Sequence, residues 1–256
     1  MQNSFAMRTP LVALCLLAAA LPVRAAEDGT SLTIGIEQTK GDYGQGSDTT
    51  ITAVPVTFRL GNRPWQFGVT VPYLEVRGPG NVTRDLGRFR GAAAPRSASG
   101  LGDVIAFATR SVGVAADGTA LDLTGKVKLG TADESKGLGT GENDFHLQAD
   151  VYGGAGTLSP FGTLGYKVLG DPPGIDLKDV FFLDLGVVRR LDGERSAGLM
   201  WHGQQKTTAG GAAQSELTAF YTRRMTAQWK VQFYGLLGLA DGSPDFGAGA
   251  FLTRGF

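Results

Sequence analysis

The segment that decides the fold is LDLTGKVKL (residues 121–129), in which apolar and polar side chains alternate. Leu121, Leu123, Val127 and Leu129 fall on one side, and Asp122, Thr124, Lys126 and Lys128 on the other. Successive side chains of a β-strand point to opposite faces, so this alternation predicts a strand with one apolar and one polar face. The same pattern recurs in 54–60, 65–73, 145–152 and 229–239, and no helical stripe of comparable length follows residue 25. The chain is therefore predicted to be all-β.

The segments with this alternation predict about twelve strands. They span 31–39, 49–60, 65–76, 100–112, 120–129, 145–152, 160–169, 179–190, 197–204, 215–224, 228–239 and 246–256. These segments are longer than the roughly 5–6 residues typical of soluble sheets. They match the roughly 9–11 residues that a tilted strand needs to cross a membrane.

The predicted connections alternate between short and long. The short ones are 61–64, 113–119, 153–159, 191–196 and 225–227, and the longer ones are 40–48, 77–99, 130–144, 170–178, 205–214 and 240–245. Short periplasmic turns and longer external loops are typical of bacterial outer-membrane barrels. An even number of strands also returns both ends to the periplasm. The pattern predicts a transmembrane antiparallel up-and-down β-barrel.

Charge placement favours lipid on the apolar faces. The charges on those faces all lie within two residues of a predicted strand end: Glu75, Arg110, Asp179, Arg189, Arg223 and Arg254. A charge facing lipid costs roughly 2–4 kcal/mol at the bilayer midplane and little at the interface. Aromatic residues such as Trp65, Tyr73, Tyr221 and Trp229 near strand ends fit interfacial girdles. A soluble sandwich or lipocalin-like barrel remains the alternative.

Residues 1–25 have the features of a cleaved Sec-type signal peptide. Arg8 precedes the apolar run Leu11–Leu21, and small residues flank Arg24 before the expected cleavage after Ala25. A retained membrane anchor is the alternative. Residues 26–256 then form a single barrel domain in the outer membrane of a Gram-negative cell. The one cysteine, Cys15, lies in the signal segment, so an exported chain would hold no disulfide.

The C-terminus and the overall charge limit the partners. The chain ends at Phe256, preceded at alternate positions by Leu252, Ala250 and Ala248. This resembles the terminal strand that the barrel assembly machinery recognises in outer-membrane proteins. The formal net charge is zero, which argues against a nucleic-acid partner because nucleic-acid binding requires a basic excess. Outer-membrane lipid, lipopolysaccharide and a small-molecule solute are the remaining expected partners.

Three short blocks carry a family resemblance. They are Gly41–Gly44, Gly100–Asp103, and the segment from Lys128 to Thr131 continuing at Lys136–Phe145. The blocks resemble a group of outer-membrane proteins linked to the meta pathway of phenol degradation and described as transporters. The resemblance implies a barrel with a loosely assigned transport function. Its most specific positions here are Gly137, Gly139, Thr140, Gly141 and Asp144.

Mid-strand charges on the polar faces are the candidates for a solute pathway. We select Lys126, Lys128, His146, Asp150 and Asp184 as lumen residues. A simple hairpin around 130–144 would place Lys128 opposite His146 and Thr124 opposite Asp150, with Lys126 diagonal to Asp150. Twelve strands lie between filled and water-conducting barrels. A polar constriction and a salt-bridged plug are therefore both open.

Three function classes follow from these observations. The leading one is a passive channel for small solutes, with aromatic or hydrophobic molecules among the candidates. A closed structural or adhesion-type barrel acting through external loops is the second. A rim hydrolase is the third and would require a serine beside His146 or His202. The sequence offers no catalytic set, no cofactor motif and no metal-ligand cluster. Loop 77–99 is the most basic connection, with Arg84, Arg88, Arg90 and Arg96. Three interpretations of it stay open: a constriction folded into the barrel, a contact with anionic lipopolysaccharide, and a mobile solvated loop.

Overall fold

A computed structural model describes residues 29–44, 46–79, 82–83, 87–88, 95–154 and 156–256. At residues 79, 87–88 and 95–96 only the backbone is described. The predicted signal peptide, residues 1–25, lies outside the described residues. So do the side chains of all four arginines assigned to loop 77–99, Arg84, Arg88, Arg90 and Arg96.

Twelve long strands form one closed antiparallel barrel, as the alternation predicted. The strands of the chain are β1 (Ser31–Gly41), β2 (Thr49–Leu60), β3 (Trp65–Pro79), β4 (Val82–Thr83), β5 (Gly87–Arg88), β6 (Pro95–Leu101), β7 (Val104–Val114), β8 (Ala120–Leu129), β9 (Asp144–Tyr152), β10 (Leu158–Val168), β11 (Val180–Arg190), β12 (Arg195–Gln204), β13 (Gln214–Arg224), β14 (Trp229–Gly238) and β15 (Phe246–Gly255). The barrel consists of twelve of these strands, β1–β3 and β7–β15. Consecutive barrel strands pair with each other, and β1 pairs with β15 to close the barrel. Closure leaves no open edge in the ring of twelve barrel strands, as a membrane requires, and among the described strands β6 pairs with β3 alone.

The predicted fourth strand, 100–112, is wrong in its extent. Its place is taken by two strands that pair with different parts of β3: β7 with residues 65–70 and β6 with residues 73–79. Gly102 and Asp103 separate them. The connection predicted at 77–99 is therefore shorter, because β3 extends to Pro79 and β6 begins at Pro95. Within it, β4 and β5 pair with each other through two residues each.

The apolar faces point outward and the polar faces inward. Outward side chains in mid-strand are strongly exposed, including Leu147 at 65% and Leu164 at 57%, while their polar neighbours are buried. A soluble lipocalin-like barrel would have the opposite arrangement, with an apolar interior. The barrel therefore has the surface of a protein that crosses a lipid bilayer.

Two arginines on the outer face contact the tryptophan that begins the neighbouring strand. Arg110 is four residues from the end of β7, because this strand extends to Val114, beyond the predicted end at 112. The guanidinium carbon of Arg110 lies 5.5 Å from the Trp65 ring centre, and that of Arg254 lies 5.5 Å from the Trp229 ring centre. Such pairs suit an interface, where an amphipathic ring and a cation both reach water.

Short and long connections separate to opposite ends of the barrel. The five turns after β2, β7, β9, β11 and β13 define the short-turn end, where Ser31 and Gly255 also lie. The other connections define the long-loop end, and one of them holds a single 3₁₀ turn, Glu134–Lys136. Among the residues that the structure describes, no helix has the length and apolar character of a membrane span.

Candidate functional site

All five lumen candidates have inward-facing side chains that are almost fully buried. The exposed fractions are 5% for Lys126, 7% for Lys128, 7% for His146, 4% for Asp150 and 4% for Asp184. They lie on β8, β9 and β11, and β10 lies between β9 and β11 in the barrel wall. Because water reaches so little of these long side chains, the lumen is narrow where they lie.

The hairpin register predicted for β8 and β9 is wrong by two residues. Lys126 lies opposite His146, Lys128 opposite Asp144, and Thr124 opposite Gln148. The physical reason is that Asp144 joins β9, since its carboxylate accepts from both the Lys128 ammonium at 2.8 Å and the Gly170 N–H at 3.0 Å. Lys126 nevertheless acts electrostatically on Asp150.

Lys128 ties the loop between β8 and β9 to the barrel wall. Its ammonium lies 2.8 Å from Asp144 Oδ2 and 3.3 Å from Asp103 Oδ2, and donates to Thr140 Oγ1 at 3.2 Å. Asp103 in turn accepts the backbone N–H of Ala132 at 2.9 Å. We call Lys128, Asp103, Asp144 and Thr140 the loop latch. All four side chains are buried or nearly so, and each charge has an opposite partner, as buried charges require.

The loop latch places loop 130–143 against the inside of the barrel. Leu138 and Ala132 of the loop are buried in an apolar cluster with Ile51 and Leu74, which face inward from β2 and β3. Tyr43 belongs to the same cluster, and its hydroxyl bonds with Thr39 Oγ1 at 3.1 Å. The loop therefore narrows the lumen at the long-loop end.

The three sequence blocks of the family resemblance meet in this region. A Cβ added to Gly100 would lie 3.0 Å from Leu138, and one added to Gly139 would lie 2.7 Å from the Asp103 carboxylate. Gly137 and Gly141 have φ values of 70° and 79°, which side chains disfavour. The blocks lie far apart in the chain, and neither their spacing nor their composition indicated that they pack together.

A row of basic side chains crosses the wall beside the loop latch. Lys126 and Lys167 lie directly opposite His146 on its two sides, and all three point inward. Lys167 was not among the predicted site residues. Its ammonium donates to Gln204 Oε1 at 2.5 Å and lies 5.2 Å from the centre of the Phe182 ring. We call Lys126, His146 and Lys167 the basic row.

Acidic side chains lie on the neighbouring wall. Asp184 Oδ1 is 2.6 Å from His202 Nδ1, and Glu216 lies opposite His202 on the next strand. On β1, Glu37 Oε2 accepts from the Tyr234 hydroxyl at 3.0 Å. The wall of β8–β10 carries charges of both signs, since Asp122, Asp144 and Asp150 are buried beside Lys126, Lys128 and Lys167. The buried charges of β11–β13 are Asp184 and Glu216.

Six inward-facing aromatic rings each lie directly opposite a glycine of the neighbouring strand. The pairs are Phe107 with Gly68, Phe161 with Gly186, Phe182 with Gly165, Phe220 with Gly198, Tyr234 with Gly249, and Phe251 with Gly35. In every pair, a Cβ on the glycine would collide with the ring. Each ring therefore covers the wall where a side chain is missing. Five of the six rings are buried, all except Phe107, and four of these pack in one apolar cluster with Met200 and Leu236.

Within the described residues, neither histidine has the surroundings that a rim hydrolase would need. Both ring nitrogens of His146 are buried without a hydrogen-bond partner, and His202 bonds to Asp184. Within the described part of the chain neither histidine has the serine partner that acyl transfer needs. In the same residues, no three His, Cys, Asp or Glu side chains converge as metal ligands would.

A closed up-and-down barrel with an apolar outer face and a polar lumen defines an outer-membrane-type β-barrel. Solved outer-membrane structures share this fold. A channel from Pseudomonas putida F1 superposes with a TM-score of 0.73 at 14% identity, covering 91% of this chain and 97% of that chain. The β-domain of the Bordetella autotransporter BrkA gives 0.55 at 14% identity, covering 90% and 100%. The CymD monoaromatic hydrocarbon channel gives 0.51 at 9% identity, covering 90% and 89%.

No family model matches the sequence, and no curated protein matches it. The structural likenesses establish the barrel fold, which was predicted from the alternation of side chains.

Proposed function

We propose that this chain is a passive outer-membrane channel for small solutes. The observation that carries the proposal is the lumen itself: charged and polar groups line its walls on most of the barrel strands, and its aromatic rings each lie against a glycine of the neighbouring strand. Likeness in fold to channels, including one named for monoaromatic hydrocarbons, is consistent with this proposal.

The proposed channel is narrow at the long-loop end. Loop 130–143 is held against the inner wall by the loop latch, and the basic row lies next to it. A solute would therefore pass a constriction lined by charges of both signs. Such a constriction screens solutes by size and by charge distribution, because both walls lie within a few ångströms of anything that passes.

One set of observations favours the alternative of a closed barrel. Most lumen charges with described contacts are partnered, as in the loop latch and in the pair formed by Asp184 and His202. A closed barrel would act through its external loops. The two proposals differ in whether ions cross the folded protein.

Conductance in a planar bilayer tests the proposal. The refolded chain should give steady openings, and Lys126→Glu should change their ion selectivity because the charge of the basic row is reversed. Lys206→Glu is the matched control, since Lys206 is exposed in the loop after β12 and should leave selectivity unchanged. Correctly folded protein that stays silent would refute the channel and favour the closed barrel.

The remaining assignments belong to the same proposal. Export through a cleaved signal peptide, insertion by the barrel assembly machinery through Phe256, and contact of the external loops with lipopolysaccharide all follow from an outer-membrane location. The link to phenol degradation rests on the resemblance of the three sequence blocks.

A further inference from the structure

We propose that the basic row, Lys126, His146 and Lys167, binds the carboxylate of a small organic acid inside the lumen. The inference rests on the proposed function and names a solute class for it. It depends on the order of charges across three strands, on an unpartnered histidine and on one adjacent aromatic ring.

The order of charges is unusual for a β-sheet wall. His146 lies in register with Lys126 on one side and with Lys167 on the other, so the row contains no acidic residue. The ammonium groups of Lys167, Lys126 and Lys128 all act electrostatically on the imidazole. An anion bound at the imidazole would therefore be attracted by three ammonium groups at once.

His146 supplies the second observation. It is 7% exposed, points into the lumen, and neither ring nitrogen has a hydrogen-bond partner. A buried polar group without a partner costs free energy. The neighbouring polar residues are satisfied by contrast: Gln148, the next inward residue of β9, donates to Asp150 Oδ1 at 2.8 Å. The imidazole is therefore available for an external hydrogen-bonding group.

A carboxylate fits these groups chemically. It accepts several hydrogen bonds at once, and bonds to ionised donors are stronger than neutral ones. An ammonium on a flexible four-carbon stem can move without any change of backbone, so the lysines that cover His146 can turn to admit a small anion.

The flank of the basic row indicates what the acid carries. The Phe182 ring lies against Gly165, with the Lys167 ammonium 5.2 Å from its centre. An apolar or aromatic body attached to the carboxylate would contact this ring. Benzoate is the simplest probe with both parts.

The histidines offer a direct readout of binding. The chain contains only two, His146 and His202, so NMR spectra of imidazole-labelled protein in non-ionic detergent hold two ring signals. Benzoate should shift the His146 signal and leave that of His202 in place. Benzyl alcohol, which keeps the ring and lacks the charge, should bind about tenfold or more weakly, as expected when hydrogen bonds to charged groups are lost.

Variants separate the site from the channel. Lys126→Gln and Lys167→Gln should each weaken benzoate binding about tenfold, whereas Lys230→Gln, a lumen lysine on β14, should not. A conducting protein whose His146 signal does not respond to benzoate would overturn the site and leave the channel. A protein that binds benzoate but does not conduct would overturn the channel and leave the site. Equal affinity for phosphate and benzoate would overturn the preference for an organic acid.

Discussion

Replacing Gly68 with alanine tests whether a missing side chain lets an aromatic ring lie against the wall. The three atoms nearest to an added Cβ all belong to the Phe107 ring, with Cε1 at 2.7 Å and Cε2 at 2.8 Å. Carbon atoms in contact prefer about 3.5–4.0 Å. The ring or its strand must therefore move by about 1 Å.

This movement should destabilise the barrel. Overpacking of this kind costs about 1–3 kcal/mol, measured as a lower urea midpoint when unfolding is followed by tryptophan fluorescence. In a Phe107→Ala background, Gly68→Ala should change the free energy of unfolding very little, because the ring that obstructs the added Cβ is gone. If the ring instead swings into the lumen, single-channel conductance falls as well.

Gly125→Ala is the control for backbone effects. Gly125 faces outward from β8, and nothing lies within 4 Å of its added Cβ. Alanine there reduces the entropy of the unfolded chain and should be neutral or slightly stabilising. Equal destabilisation by Gly68→Ala with and without the Phe107 ring would refute the reasoning.

Three further predictions concern the loop latch, the outer face and a turn. Lys128→Met should destabilise the protein by about 3 kcal/mol, because it leaves buried carboxylates unpaired; Lys136→Met, which removes an exposed pair, should have no measurable effect on urea unfolding. Leu164→Arg in mid-β10 should cost roughly 2–4 kcal/mol in a bilayer, whereas Leu158→Arg, equally exposed at the start of that strand, should cost almost nothing; equal costs would contradict the lipid-facing assignment. The backbone N–H of Glu194 and the side chain of Arg195 lower the pKa of Asp192. The ionised Asp192 carboxylate therefore contributes fully to the free energy of unfolding above about pH 4, and this contribution is lost as the pH falls further. The difference in the free energy of unfolding between wild type and Asp192→Asn should vanish at low pH.

The outer and inner faces could be predicted because they follow from a local rule. In β9, for example, Phe145, Leu147 and Val151 face outward and His146 and Asp150 inward, as the period of two requires. The lipid and the lumen impose opposite polarities on neighbouring residues, so each strand carries its own orientation signal.

The register of β8 and β9 and the extent of the fourth barrel strand were not predictable in the same way. The register depends on the contacts of a single carboxylate, Asp144, with Lys128 and with Gly170. The break at Gly102 and Asp103 depends on a partner 29 residues away, since Asp103 accepts from Ala132. Contacts between distant loops leave no periodic trace in the sequence.

The aromatic–glycine pairs show a similar limit. Glycine and aromatic residues are both common in the chain, but their pairing appears only when the register across two strands is known. Lys167 was omitted from the site for the same reason, because its place beside His146 follows from the pairing of β9 with β10.

Chemical modification from water tests the central claim, a solute path through the lumen, most directly. Apart from Cys15 the sequence has no cysteine, so in a Cys15→Ser background one introduced cysteine would be the single reactive thiol. Gln232 faces inward on β14, and its neighbour Phe233 faces outward. A charged thiol reagent should react with Gln232→Cys and reduce the conductance, and should spare Phe233→Cys in the bilayer. A folded Gln232→Cys protein that resists the reagent and keeps its conductance would contradict a path through the lumen.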